Sequence, residues 1–532
     1  MPKDQRPNIL WVSFEDTTPR YGCYGDRVAR TPNVDRLAAE GCRYPNAFTT
    51  TPVCAPNRSA VITGMYPTSV GTHHMRTTHT HAACPGLPTP YGAVVPHFVK
   101  CFSEYLRAAG YYCTNNEKTD YQFEPPLTAW DACVEGAHWR DREGDQPFFA
   151  VFNPESTHES GMWEEEGEPE TDPEAVELPP YLPDTLECRK ALARQYDHIA
   201  QNDALLGELL QQLEEDGLAD NTIVFHWSDH GEGLPRSKRW LYDTGLRVPL
   251  IVRWPGRLAP GSVDGRLVSM IDLGPTVLSL TGTPIPYHMQ GQPFLGPHAV
   301  EREYVFATRD RYDTSYDMVR GVRGRRYKYL RNYRPELPRM LWVAYRNRHP
   351  IMREIWRRYL HDELEGPQKW FAETSRPIEE LYDTAADPYE LTNLANDPQH
   401  LSVLERMRRA LDDWRAEVGD LGVVDESQMK RQWYPDGKQP QTDPVLFIPL
   451  AADAEGVEPS KGGALTGPAA IQLYCSTQGA SIAYTLDPKQ TARWLLYTGP
   501  IRLPQGATTI RAKAVRIGYA DSPELTATFE VK

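Results

Sequence analysis

A cysteine, an arginine and the start of a helix come together in Thr51-Pro-Val-Cys-Ala-Pro-Asn-Arg-Ser-Ala-Val-Ile-Thr-Gly64. From Cys54 the stretch reads as the first turns of a helix, which puts Cys54 at or just before its N-terminus. Unpaired N–H groups and the helix dipole favour negative charge there. Arg58, one turn on, adds a fixed cation that can grip an oxyanion through two N–H groups. The chemistry available is a cysteine aimed into an anion site. The alternative is a small buried cysteine packed at a helix start.

Other residues with chemical capacity follow short apolar runs. Ile9 to Phe14 reads as a buried parallel strand and ends at Glu15-Asp16. Ligand sites in α/β sheets lie off the carboxyl ends of strands, so these two carboxylates are well placed. Pro147 to Asn153 is a second such run, followed by Thr157-His158-Glu159. Thr222 to Trp227 is a third, followed by Ser228-Asp-His-Gly-Glu232. Gly71 to His81 holds four histidines and Arg76 without a helical period. Lys118 and Asp120 sit in Asn115-Asn-Glu-Lys-Thr-Asp-Tyr121. As isolated residues these would be ordinary turns, caps and solvated loop groups.

The elements that must position them are legible. Asn33 to Gly41 reads as a short helix closed by glycine. Val95 to Gly110 reads as an amphipathic helix. Leu186 to Gly217 is a long helix with Leu192, Tyr196, Ile199, Leu206, Leu210 and Leu213 on one face. Asp317 to Leu330 reads as two antiparallel strands, and Leu401 to Val418 as a closing helix. Residues 422 to about 465 are rich in Pro, Gly, Asp and Gln, like a linker. From Gly467 short alternating strands suggest a small β-sandwich.

The 532 residues are too many for one core. A net charge of −15 argues against a general binder of nucleic acid or anionic membrane, which needs a basic face. Nine cysteines at irregular spacing, with no Cys-x-x-Cys, suit reduced thiols better than a disulfide framework. No apolar leader or membrane-spanning run is visible, so the chain as written reads as cytoplasmic, or as periplasmic or secreted if a leader was removed.

Cys54-x-Pro-x-Arg58 followed by Ser-Ala-Val-Ile-Thr-Gly resembles the signature of the formylglycine-dependent sulfatases. So do Asn8-Ile-Leu-Trp-Val-Ser-Phe-Glu-Asp16, Thr31-Pro-Asn-Val-Asp, Ser228-Asp-His-Gly-Glu232 and Tyr242-Asp-Thr-Gly-Leu-Arg-Val-Pro-Leu250. The likeness runs from about residue 7 to about residue 420, with the motifs in order. Gly71-Thr-His-His-Met-Arg76 and Arg309-Asp-Arg-Tyr-Asp313 look similar to the branch of N-sulfoglucosamine sulfohydrolases and other carbohydrate sulfatases.

The resemblance implies an α/β fold, an alkaline-phosphatase-like sandwich with a large mixed sheet flanked by helices. It divides the chain into a catalytic domain at 1–300 and a smaller α+β subdomain at 301–422. A linker would follow at 423–465, then a β-sandwich at 466–532 resembling the C-terminal modules of chitobiases and hexosaminidases. It implies that Cys54 is oxidised to formylglycine by a maturation enzyme. Calcium would be held by Glu15, Asp16, residue 54, Asp229 and His230. Arg58, Lys118 and Lys238 would hold the nucleophile and the sulfate, and His158 would protonate the leaving group. His73, His74, Arg76, Asp120, Arg309, Asp310, Arg311 and Asp313 would contact the sugar. Glu15 departs from the family's usual aspartate, and Asp120 stands where the family usually has histidine.

A sulfated carbohydrate, O- or N-sulfo, is then the expected substrate. Two alternatives stay open: a phosphonate monoester or phosphodiester hydrolase using the same site, and a glycan-binding protein with a degenerate catalytic domain. Self-association is left open.

Overall fold

The computed structural model describes residues 6–487, 489 and 493–532. Its centre is a mixed eight-stranded sheet. The strands are β1 (Asn8–Phe14), β2 (Cys42–Arg43), β3 (Tyr112–Asn116), β4 (Ala132–Cys133), β5 (Phe148–Phe152), β6 (Thr222–Ser228), β7 (Leu250–Arg253) and β8 (Ser262–Val263). Their order is β4-β3-β5-β1-β6-β7-β2-β8. β1 lies parallel between β5 and β6, with Ile9 opposite both Phe149 and Ile223. Every residue of β1 and β6 is buried, as a sheet covered on both faces requires. Trp11, Phe102, Phe149 and Phe225 fill one side of the sheet. Leu10, Val12 and Phe14 pack on the other against Ile199, Leu206, Leu210 and Leu213.

The helices that matter for the site are α1 (Pro32–Glu40), α2 (Cys54–Thr63) and α3 (Leu186–Glu215). α3 supplies the apolar face expected of it, and Thr185 caps its first turn by accepting from the Cys188 N–H at 3.4 Å. The helix expected over Val95 to Gly110 is shorter, Phe102–Ala108. Cys101 caps it in extended backbone, and Glu104 reaches back to the Cys101 N–H at 3.2 Å.

A second unit is an antiparallel sheet of β9 (Val305–Arg309), β10 (Val319–Arg323), β11 (Tyr327–Asn332) and β12 (Glu379–Asp383). Helix α4 (Leu401–Val418) closes it through Leu404, Met407, Leu411 and Trp414, whose ring stacks on Phe306 at 4.9 Å. Two strands between Asp317 and Leu330 were expected, and β10 and β11 are those strands.

The stretch 423–465 is not a linker. It contains helix α5 (Glu426–Trp433), with Glu426 and Met429 buried, and the strand Leu446–Ala451, which pairs with Ala470–Tyr474. Proline and polar residues around Leu446-Phe-Ile-Pro-Leu dilute its apolar pattern, so composition alone hides it. The β-sandwich therefore begins near residue 446. Its four- and five-stranded sheets enclose Phe447, Ile471, Leu473, Ile510 and Phe529. It packs on the catalytic unit: Lys100 Nζ donates to Gly479 O at 2.6 Å and Ser481 Oγ at 2.7 Å, and Ile517 joins the core beside the main sheet. Among the described residues no helix is long and apolar enough to cross a membrane.

Candidate active site

Register builds the site. Phe14 lies opposite Ser228, so β1 and β6 end level and deliver Glu15-Asp16 and Asp229-His230 side by side. Helix α2 starts over these ends, with all ten of its residues buried. Asn57 clamps it there by donating from Nδ2 to Asp229 O at 2.6 Å. Gly231 and Gly233 allow the close approach: a Cβ would fall 2.1 Å from Thr244 O at the first and 2.4 Å from Glu159 Cβ at the second.

Cys54 Sγ lies 3.3 Å from Glu15 Oε1, 3.2 Å from His230 Nε2 and 3.9 Å from Asp16 Oδ1. Donor atoms of Asp16, Cys54, Asp229 and His230 all fall within 4.8 Å of one another, and all four residues are buried. Glu15 Oε2 is buried without a hydrogen-bond partner among the described residues. Several carboxylate oxygens and one imidazole converging on one point, with an orphaned acceptor beside them, fit a divalent cation. Burial and the carboxylates of Glu15, Asp16 and Asp229 push the Cys54 thiol well up despite Lys238, which disfavours a thiolate nucleophile.

Three cations ring this cluster. Arg58 donates from Nε to Asp229 Oδ2 at 3.2 Å and from Nη1 to Asn153 Oδ1 at 3.0 Å; its Nη2 is buried and unpartnered among the described residues. Lys118 Nζ lies 2.8 Å from Glu15 Oε1 and 3.0 Å from Glu155 Oε2. Lys238 Nζ lies 2.6 Å from Asp16 Oδ2 and 3.4 Å from Glu159 Oε1. Burial alone would lower both lysines, but the facing carboxylates outweigh it and hold them charged.

His158 caps the turn after β5. Its Nδ1 lies 2.9 Å from Ser160 Oγ and accepts from the Ser160 N–H at 3.4 Å, so Ser160 holds the ring in place. Burial and then Lys238 lower its pKa.

The residues expected to read the sugar divide. Arg76 and Asp120 line a cleft of about 340 Å³ that opens beside Ala55. Asp313 is buried and anchors Arg76 at 2.8 Å. The others are absorbed into the protein interior. Arg311 forms a fork with Glu426 of α5 at 2.6 and 2.7 Å. Asp310 pairs with Arg320 at 2.9 Å, and Arg309 pairs with Asp317 at 3.1 Å beneath the Trp240 ring. His73 and His74 are buried, their rings 4.2 Å apart, and line no part of the cleft. A charged loop motif cannot show from sequence whether its partners are solvent or a distant element such as α5.

Sequence motifs left Asn153, Glu159, Arg239 and Tyr345 without a role, although the first three adjoin or belong to quoted stretches. Arg239 forks onto Glu159 at 2.7 and 2.9 Å and donates from Nε to Asp313 at 2.9 Å. The Glu159 N–H donates to Asp16 Oδ2 at 2.8 Å. Six non-glycine residues around the site hold positive φ: Asp16, Arg76, Asp120, Gln122, Arg239 and Asp313. Backbone held in this sparsely populated region marks places where position is worth strain.

Comparisons with known proteins agree with this geometry. The sulfatase family model matches residues 7–136 and 131–283. The model for the C-terminal part of N-sulphoglucosamine sulphohydrolase matches 231–343, and that for the chitobiase/beta-hexosaminidase C-terminal domain matches 460–526. An ulvan-active sulfatase of Formosa agariphila is 41% identical, covering 97% of this chain and 90% of its own length. Human N-sulphoglucosamine sulphohydrolase is 26% identical over 78% of this chain and 91% of its own. A solved 2-O GAG sulfatase superposes with a TM-score of 0.59 at 21% identity, covering 78% of this chain and 93% of that one. The phosphonate monoester hydrolase of Agrobacterium radiobacter shares the fold too, with a TM-score of 0.56 at 18% identity, covering 79% of this chain and 97% of that one. Motifs, register and relatives converge: the chain belongs to the sulfatase family and is a carbohydrate sulfatase, a hydrolase of sulfate esters.

Proposed function

We propose that the enzyme removes O-linked sulfate from an ulvan-type polysaccharide, with formylglycine formed from Cys54 by a maturation enzyme and calcium beside it. The observation that carries the chemistry is the buried meeting of Asp16, Cys54, Asp229 and His230 at the start of α2. The substrate class is supported by the 41% identity, along nearly the whole chain, to a sulfatase named for ulvan.

A sulfate ester resists attack because its oxygens repel nucleophiles and its alkoxide is a poor leaving group. Asp16, Asp229, His230 and Glu15 would hold the calcium. When present, the ion and the hydrated aldehyde of residue 54 would supply a charged clamp and an oxygen nucleophile. Arg58 has Nη2 left to hold that oxygen. Lys118 and Lys238 offset charge on the transferring group. His158, in its protonated form, passes a proton to the departing sugar oxygen.

Sulfate release from ulvan oligosaccharides, from an N-sulfated glucosamine and from a phosphonate monoester tests this reading. Sulfate from ulvan alone supports it. Faster cleavage of the sulfamate or the phosphonate overturns it.

A further inference from the structure

Charges around the site form a continuous chain with one end open. Lys238 meets Glu159 at 3.4 Å, Glu159 meets Arg239 at 2.7 Å, Arg239 meets Asp313 at 2.9 Å, and Asp313 meets Arg76 at 2.8 Å. Lys238 also meets Asp16 at 2.6 Å, so three cations face three carboxylates, and Arg76 has Asp313 alone. The first four groups are sealed, with at most 2% of each side chain exposed. Arg76 has 32% of its side chain exposed, so the chain of charges reaches the surface there.

Arg76 is also built into place. It and Asp313 both hold left-handed backbone, at φ 57° and 54°. Asp313 takes only its Nε, and among the described residues neither Nη makes a hydrogen bond. The guanidinium lies 5.3 Å over the Tyr345 ring, and that ring is 6.0 Å from the His158 ring. The Tyr345 ring also packs 5.0 Å from the Trp163 ring. Arg76 is the one arginine or lysine among the described residues lining the cleft, which otherwise presents Glu117, Asp120 and Glu124. Those carboxylates repel an anion everywhere except at Arg76.

We propose that Arg76, propped by Asp313 and stacked on Tyr345, is a subsite for a second anionic group on the sugar chain, a carboxylate or a second sulfate, next to the sulfate that is removed. This deepens the function proposed above and rests on it. With the leaving oxygen at His158, as the proposed function has it, the Tyr345 ring stands between that oxygen and Arg76. The free Nη pair beyond that ring is open to an anionic substituent of the sugar chain, and its fork matches either anion.

Three disaccharides that share the same scissile sulfate test this: one with a neutral neighbouring sugar, one with a uronic acid, and one with a second sulfate on the neighbour. Wild type, Arg76→Gln and Arg76→Lys are compared by kcat and KM, with thermal melting as a check on folding. Losing a charged two-point contact costs about tenfold or more in affinity. The Gln variant should therefore lose that factor, through KM, on an anionic disaccharide relative to the neutral one, with partial recovery in the Lys variant. Loss confined to the uronate substrate identifies a carboxylate, and loss confined to the disulfate identifies a sulfate. An equal loss on all three, or none, overturns the subsite. Calorimetric binding of the same sugars to Cys54→Ser protein, with and without Arg76→Gln, reads the subsite without turnover. Failure of turnover alone then counts against the proposed function, and failure of discrimination in binding counts against the subsite.

Discussion

Lys118 Nζ lies 2.8 Å from Glu15 Oε1, the same oxygen that lies 3.3 Å from Cys54 Sγ. Glutamate in place of the family's usual aspartate lets one carboxylate reach both the reactive position and the lysine. Its other oxygen stays without a protein partner among the described residues. Glu15 therefore links the cluster of Asp16, Cys54, Asp229 and His230 to Lys118, the cation proposed to face the transferring group.

That coupling should appear in a double-mutant cycle of Glu15→Gln and Lys118→Met. We expect each single variant to lose activity and the pair to be non-additive by about 1 kcal/mol or more in kcat/KM. Bound metal, measured by elemental analysis, should fall in the Glu15 variant and not in the Lys118 variant. Strict additivity would show that the two residues act separately.

His158 is assigned the leaving-group proton. His158→Gln should lower kcat on sugar sulfates by about 10²–10⁴. The loss should be much smaller on 4-nitrophenyl sulfate, whose phenolate departs without a proton. The direction of the His158 shift gives the pH dependence. Burial and Lys238 lower its pKa below 6.5, and donation requires the protonated form, so activity should fall as pH rises through that lowered value. Equal losses on the two leaving groups would remove His158 from this role.

Arg239 neutralises Glu159 and Asp313 where all three are buried. Arg239→Met removes the cation that Glu159 and Asp313 share, leaving them Lys238 at 3.4 Å and Arg76 at 2.8 Å, and should cost about 3 kcal/mol of stability. Urea unfolding midpoints of the variant and of wild type would measure it. A near-neutral change would mean that the pair is not formed in solution.

Buried histidines set an acid limit on stability. Burial pushes His226 down to about 3 and His349 down to about 4. The folded protein keeps them neutral, while the unfolded chain takes up their protons near pH 6.5. The stability they contribute is present above 6.5. Between pH 6.5 and 4 it should fall by about 1.4 kcal/mol per pH unit for each residue. Urea midpoints across that window should decline steadily; a flat profile would contradict this.

Much of this architecture was legible in the sequence because local rules and global packing agree there. β1 and β6 are mostly apolar runs, with only Ser13 and His226 interrupting their interiors, as strands buried on both faces tend to be. The residues after those strands were legible as a site because the ends of strands are where sheets place ligands. Arg309, Asp310 and Arg311 were expected at the sugar, and the structure pairs them with Asp317, Arg320 and Glu426. The last of these lies in α5, inside a stretch whose composition resembles a linker. Tyr345 carried no motif, and only the fold places it between Arg76 and His158.

The account turns on residue 54. Protein produced with a formylglycine-generating enzyme should yield a peptide spanning Cys54 that is lighter than the encoded one, with aldehyde in place of thiol. The converted fraction should scale with the rate of sulfate release. Active protein whose Cys54 remains an unmodified thiol, from cells that convert a control sulfatase, would contradict the mechanism.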